Sequence, residues 1–145
     1  MPAAAGQLAR STGIEVQSFN MTAVSLTKGQ VVALDGNGRA VLGTNSVGTV
    51  QSGKFIAIES VDNSAGAVGD KEIRCAVGNT WVYATAAGAI KVGQAVKAAA
   101  AGEVQAATGI FAAETHLGRY FGHENEEADP TDAAANDVII VRLGL

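Results

Sequence analysis

Two histidines, His116 and His123, are the most chemically versatile side chains in this sequence, and Glu124, Glu126 and Glu127 stand beside the second. Imidazole with carboxylate is a metal-ligand set. Zinc sites, however, use tighter paired spacing, and no cysteine or third histidine joins these two. The segment reads instead as a solvated acidic loop. Asp35-Gly36-Asn37-Gly38 has the opening of a calcium loop but lacks the later carboxylates and the closing bidentate glutamate, so it reads as a hairpin turn. Gly36, Gly38 and Gly43 miss the G-x-G-x-x-G dinucleotide spacing, and no helical pattern follows them. Cys75 sits in an alternating run and reads as a small buried residue, because a nucleophile would need a base nearby. No serine lies in a G-x-S-x-G context. Trp81 and Tyr83 alternate along one strand and suit a core or an interface better than a sugar platform. The expectation is a protein with no catalytic, metal or cofactor site.

The elements that carry these residues follow from composition and punctuation. At 145 residues the chain falls within the single-domain range. It is 48% hydrophobic but only 17% charged, where about a quarter is usual, and much of the apolar fraction is alanine, which buries little area per residue. Such a chain gains from further burial against partner subunits. The net charge is −4, and the 10 Lys and Arg are spread along the sequence, which offers no basic stripe to nucleic acid or to an anionic membrane. No apolar run approaches the ~20 residues that span a bilayer. The first ten residues lack the basic-then-apolar order of a secretory signal, so synthesis in a cytoplasm is expected.

Residues 1–13 have no helical or strand period and read as a flexible N-terminal arm ahead of a single β domain, 14–145. From Ile14 onward, short apolar runs alternate with Gly-rich turns: QVVAL, a DGNG turn, AVLG, KFIAIESV, EIRCAV, TWVYAT, QAVKAA, EVQAA, GIFAAE and VIIVRLGL. No dozen residues hold a helical period. The spacing predicts a mainly β fold, a compact sandwich or barrel of short strands.

The chain also repeats. LTKGQVVALDGNGRAVLGT from Leu26 aligns without gaps on IKVGQAVKAAAAGEVQAAT from Ile90, with Gly29 on Gly93, Gln30 on Gln94, Val32 on Val96, Gly38 on Gly102 and Thr44 on Thr108, a constant offset of 64 residues. Further on, FIAIES is similar to GIFAAE and DKEIRCAVG to DVIIVRLG. The reading is two related β units, about 26–78 and 90–144, sharing one core. They differ in their connections: VDNSAGAVG in the first, and in the second a long stretch over 115–136. Loops of that length inside a compact domain are usually functional or disordered.

The runs LTKGQVVALDGNGRAV, GNTWVYATAAGAIKVGQAVKAAAAGEVQAA, TGIFAAET and DVIIVRLGL together resemble the tailed-phage capsid decoration (cement) proteins, over about Val24 to Leu145 with 115–136 atypical. The resemblance implies a β-rich virion protein on the outer surface of the head, made in the host cytoplasm and without catalytic activity. It also implies a homotrimer or similar small oligomer, with the major capsid protein as partner. On that reading the interface residues are Leu8 and Arg10 in the arm and Arg119, Tyr120 and Phe121 in the long second connection, since aromatic and Arg side chains dominate interface hot spots. Tyr120 and Phe121 capping the protein's own core is the plainer alternative. A second function class is a secreted or cell-surface β-sandwich ligand-binding module, which would carry an export signal and a clustered aromatic or acidic site. VSLTKGQVVAL is also similar to the turn of biotinyl and lipoyl carrier domains, but Lys28, Lys54, Lys71, Lys91 and Lys97 all lack the required hairpin setting.

Overall fold

The GQ dipeptide common to both halves performs the same task twice. Gly29 (φ +93°) and Gly93 (φ +81°) adopt the left-handed conformation that glycine accepts at least cost. The glutamine after each closes the turn: the Gln30 side chain accepts from the Thr27 N–H at 2.8 Å, and the Gln94 side chain accepts from the Lys91 N–H at 3.1 Å. The DGNG segment is a turn as well. Asp35 Oδ1 accepts from the N–H groups of Asn37 (2.8 Å) and Arg39 (3.0 Å), which hold its carboxyl below the usual range.

A computed structural model describes residues 3–9, 14–43, 55–107, 116–126 and 128–144. The fold is mainly β. One sheet contains β1 (Val16–Asn20), β3 (Val31–Leu34), β4 (Ala40–Leu42), β5 (Phe55–Ala57) and β7 (Glu72–Ala76), in the order β1-β7-β5-β3-β4. A second contains β8 (Trp81–Thr85), β9 (Ala95–Ala98), β10 (Val104–Ala106), β11 (Gly118–Tyr120) and β12 (Val138–Leu143), in the order β10-β9-β11-β12-β8. Read from opposite ends, the two orders are the same. Short strands β2 (Ser25–Leu26) and β6 (Val61–Asp62) form a third sheet. Every ladder is antiparallel. Each five-stranded sheet curls until the chain just past its first strand meets its last, through parallel bridges Met21–Ala40 and Ala86–Val104.

Register makes the two units equivalent residue by residue. Across the first sheet, Val31, Ile56, Ala76 and Val16 lie in one row; across the second, the same row reads Ala95, Arg119, Arg142 and Trp81. The alternate positions face each unit's interior. Phe19, Val32, Ile73 and Cys75 fill the first, and Val96, Tyr120, Ile139 and Val141 fill the second. Val31, Ile56 and Ala76, on the opposite face of the first sheet, are fully buried within the second unit's cluster. The first unit therefore packs its outward row onto the second, and the units share one buried body.

Three sequence expectations are corrected. Residues 3–9, expected to be mobile, lie along the free side of β8: Leu8 bridges Val82, Gly6 N–H donates to Tyr83 O (2.7 Å), Tyr83 N–H to Gln7 O (2.9 Å) and Ala9 N–H to Trp81 O (2.9 Å). An Ala-rich segment can dock in this way because backbone groups alone satisfy a sheet edge. The stretch 115–136 is not simply an added loop, because β11 lies within it and is the counterpart of β5. The FIAIES–GIFAAE pairing thereby loses its structural sense, and residues 108–115 fall outside the described residues. Finally, the repeat begins earlier than residue 26, since β1 and β8 occupy equivalent places.

Candidate functional site

In an antiparallel ladder, residues directly opposite share a face, and like charges placed so repel. Arg119 of β11 stands directly opposite Arg142 of β12, and Arg142 opposite Trp81 of β8. Both arginines are exposed, whereas their first-unit equivalents Ile56 and Ala76 are fully buried. Arg119 donates to the carbonyl of Gly93 at 3.0 Å, and neither guanidinium is ion-paired with a described carboxylate. Phe121 continues the same face and meets Trp81 with ring centroids 4.7 Å apart, tilted by 39°. The result is an open patch of two adjacent cations bordered by two half-buried aromatic rings. The basic side chains are dispersed in sequence, so the absence of a basic cluster read from sequence is corrected here at one place: the fold brings two of them together.

The interface residues expected from sequence separate accordingly. Arg119 and Phe121 belong to this patch. Tyr120 points the other way and is fully buried, so it is a core residue and its assignment to an interface is corrected. Alternation along β11 is the reason. Leu8 is half-buried against the second unit's core, bonded within its own chain rather than offered to a partner. Arg10 lies outside the described residues. Trp81 and Arg142 were missed as members of the patch, because only the register across β12 and β8 sets them beside Arg119 and Phe121.

The segment around His123 is not a freely solvated acidic loop. The imidazole sits between two carboxylates, Nδ1 at 2.7 Å from Glu126 and Nε2 at 2.8 Å from Asp137. Tyr120 packs edge-on against the ring, and its hydroxyl, 3.2 Å from Nδ1, donates to the Thr131 carbonyl at 2.5 Å. The Thr131 hydroxyl donates to Glu126 at 2.7 Å. The two carboxylates lie on opposite edges of the ring, so they clamp it instead of converging on a cation. Among the described residues no group of three or more His, Cys, Asp or Glu is placed to hold a metal ion. Cys75 is buried, and desolvation, then Glu59, pushes its thiol up to about 12, which keeps it protonated and unreactive at neutral pH.

This clamp carries a pH signature. Burial alone would lower the His123 pKa, but hydrogen bonds to Asp137 and Glu126 outweigh it, and the value is raised above the ordinary 6.5. Glu126 is held down to about 2 by the His123 backbone N–H, the Thr131 hydroxyl and the imidazole. Asp137 is lowered by the Ala134 backbone N–H and by His123. By linkage, the histidine's contribution to stability is complete below its unfolded pKa and fades as pH rises through the raised folded value. The carboxylates' contributions are complete above their unfolded pKa values and fade as pH falls through the lowered folded ones. The connection is therefore tightest in mildly acidic solution. An NMR titration is expected to place the His123 midpoint above 6.5, and His123→Gln is expected to abolish the loss of stability on the alkaline side. A midpoint at or below 6.5 would count against the clamp.

Among the described residues no helix is long and apolar enough to cross a membrane. Comparison with protein-family models finds no match to this chain, and comparison with curated proteins finds none either.

Proposed function

We propose that this chain is a non-enzymatic structural protein that binds the outer surface of a phage capsid as an oligomer and reinforces the head. The observation that carries this reading is the contrast between equivalent rows. Val31, Ile56 and Ala76 are buried between the units, while Arg119 and Arg142 hold the same positions on the second unit's open face. In tandem architectures the terminal unit carries a polar outer face where inner units carry an apolar one, which stops head-to-tail growth. Two guanidiniums opposite each other suit a carboxylate-bearing protein surface, whose charge offsets their mutual repulsion. Trp81 and Phe121 add the aromatic area typical of interface hot spots. The resemblance of the repeat and closing strand to capsid decoration proteins names the major capsid protein as that surface. The bland charge and the Ala-rich strands agree with a scaffold that works by association.

The test is co-sedimentation with intact heads. Wild-type protein is expected to pellet with them, and Arg119→Glu with Arg142→Glu to weaken binding at least tenfold without moving the unfolding midpoint, because both side chains are exposed. Unchanged binding by the double variant would remove this face from the attachment, and no binding by wild type would remove the capsid.

A further inference from the structure

Of the seven asparagines in the sequence, only Asn37 is followed by glycine. Asparagine is thermolabile. Its side-chain amide is open to attack by the backbone nitrogen of the next residue, and glycine, which lacks a Cβ, leaves that nitrogen least hindered. The fold places the pair at the tip of the β3–β4 hairpin, where Asn37 and Gly38 are both exposed. Asp35 Oδ1 holds the Asn37 backbone N–H at 2.8 Å, but among the described residues no hydrogen bond engages the Asn37 side-chain amide. One contact opposes the attack: Gly38 N–H donates to the Asp35 carbonyl at 3.0 Å. Nothing lies within 4 Å of a Cβ built at Gly36 or Gly38, so no packing resists the opening of that single bond. Asn63 shows the contrary arrangement. It is buried, and its side-chain nitrogen donates to the carbonyls of Thr22 at 3.0 Å and Ala67 at 3.1 Å. In the second unit the place of Asn37-Gly38 is taken by Ala101-Gly102, which has no amide to lose.

We propose that Asn37-Gly38 is a self-modification site, converted with water as co-reactant to aspartate and isoaspartate, and that the isoaspartyl form loosens the closure of the first unit. The Gly38 nitrogen gives its proton to a solvent base and bonds to Cγ of Asn37. The Cγ–Nδ2 bond breaks, and the nitrogen leaves as ammonia after taking a proton from water. Water then opens the cyclic imide. Cleavage between the Gly38 nitrogen and Cγ gives aspartate. Cleavage between that nitrogen and the backbone carbonyl carbon of residue 37 gives isoaspartate, whose main chain runs through Cβ and Cγ and is one atom longer. The hairpin has no slack for that atom. Asp35 accepts from the N–H groups of Asn37 and Arg39, and its own N–H donates to the Arg39 carbonyl at 2.9 Å, which fixes Leu34 opposite Ala40. Ala40 in turn closes the sheet: its carbonyl accepts from the Thr22 N–H (3.2 Å) and hydroxyl (3.1 Å), beside the bridge to Met21.

Peptide mass mapping of full-length protein aged in mildly alkaline buffer is expected to show the Asn37 peptide heavier by about one dalton and split between two retention times. Its conversion is expected to run at least tenfold faster than that of Asn63, and at least tenfold faster than in mildly acidic buffer. Asn37→Gln, an exposed change that requires a larger and slower-forming ring, is expected to keep its mass and its unfolding midpoint through the same treatment. Aged wild type is expected to melt several degrees below fresh protein. Freshly purified Asn37→Asp, which has the new charge without the longer main chain, is expected to melt with fresh wild type. An Asn37 peptide of unchanged mass, or one converting no faster than the Asn63 peptide, would overturn the site. An aged midpoint that does not fall, or an equal fall in fresh Asn37→Asp, would overturn its structural consequence.

Discussion

Tyr120→Ala is expected to destabilise the protein by about 3–5 kcal/mol, the range seen when a large buried aromatic side chain is truncated. Among the described residues Tyr120 is the largest fully buried side chain; it packs within the second unit's cluster, on a strand bonded to both β9 and β12. Truncation would leave a cavity that neighbouring strands cannot close without leaving register. It would also remove the hydroxyl that bonds to the Thr131 carbonyl and sits beside His123, loosening the connection between β11 and β12. Against a total stability of about 5–15 kcal/mol, that is enough to unfold a substantial fraction of the protein at physiological temperature. Tyr120→Phe separates the two effects. It keeps the ring and loses the hydroxyl bond, at about 1 kcal/mol. Denaturant melts of both variants are the measurement, and a Tyr120→Ala loss no larger than that of Tyr120→Phe would contradict the packing role.

Gly118→Ala is expected to cost about 3 kcal/mol or more, although it adds a single methyl group to a residue in an ordinary extended strand. A Cβ at this position would lie 2.0 Å from the carbonyl oxygen of Arg142 and 2.9 Å from its carbonyl carbon. Those atoms belong to the neighbouring backbone, and β11 is bonded on both sides, to β9 and to β12. No rotamer change relieves such a contact, so one ladder must shift. Overpacking usually costs about 1–3 kcal/mol where side chains can adjust, and a clash with a paired backbone belongs at or beyond the top of that range. Gly36→Ala is the control: nothing lies within 4 Å of its Cβ, and a change of less than about 0.5 kcal/mol is expected. Equal losses for the two variants would show that helical or strand propensity, and not the close approach of β12, sets the effect.

The β class, the turns and the duplication were all legible in the order of the residues. These are local or nearly local properties. A positive-φ glycine followed by a glutamine that closes the turn works through residues three apart, so Gly29-Gln30 and Gly93-Gln94 announce themselves wherever they occur. Alternation of apolar residues likewise tells that Cys75 and Val82 face inward, whatever lies opposite. Strand pairing was a different matter. β11 is three residues long, Gly-Arg-Tyr, and carries too little period to be told from a loop; it is a strand because β9 and β12 offer it edges on both sides. The same holds for residues 3–9, which have no pattern of their own and are ordered by the backbone of β8. The candidate site depended on tertiary structure most of all. Arg119 and Phe121 were visible as residue types that favour interfaces, but Arg142 and Trp81 join them only through register across β12 and β8. Whether a row is buried or open was beyond the repeat alignment too. Ile56 and Arg119 occupy equivalent positions, and what separates them is that the first unit packs onto the second while the second presents its matching face outward. Burial depends on what a neighbouring surface does, and a strand's own residues do not encode where that neighbour ends.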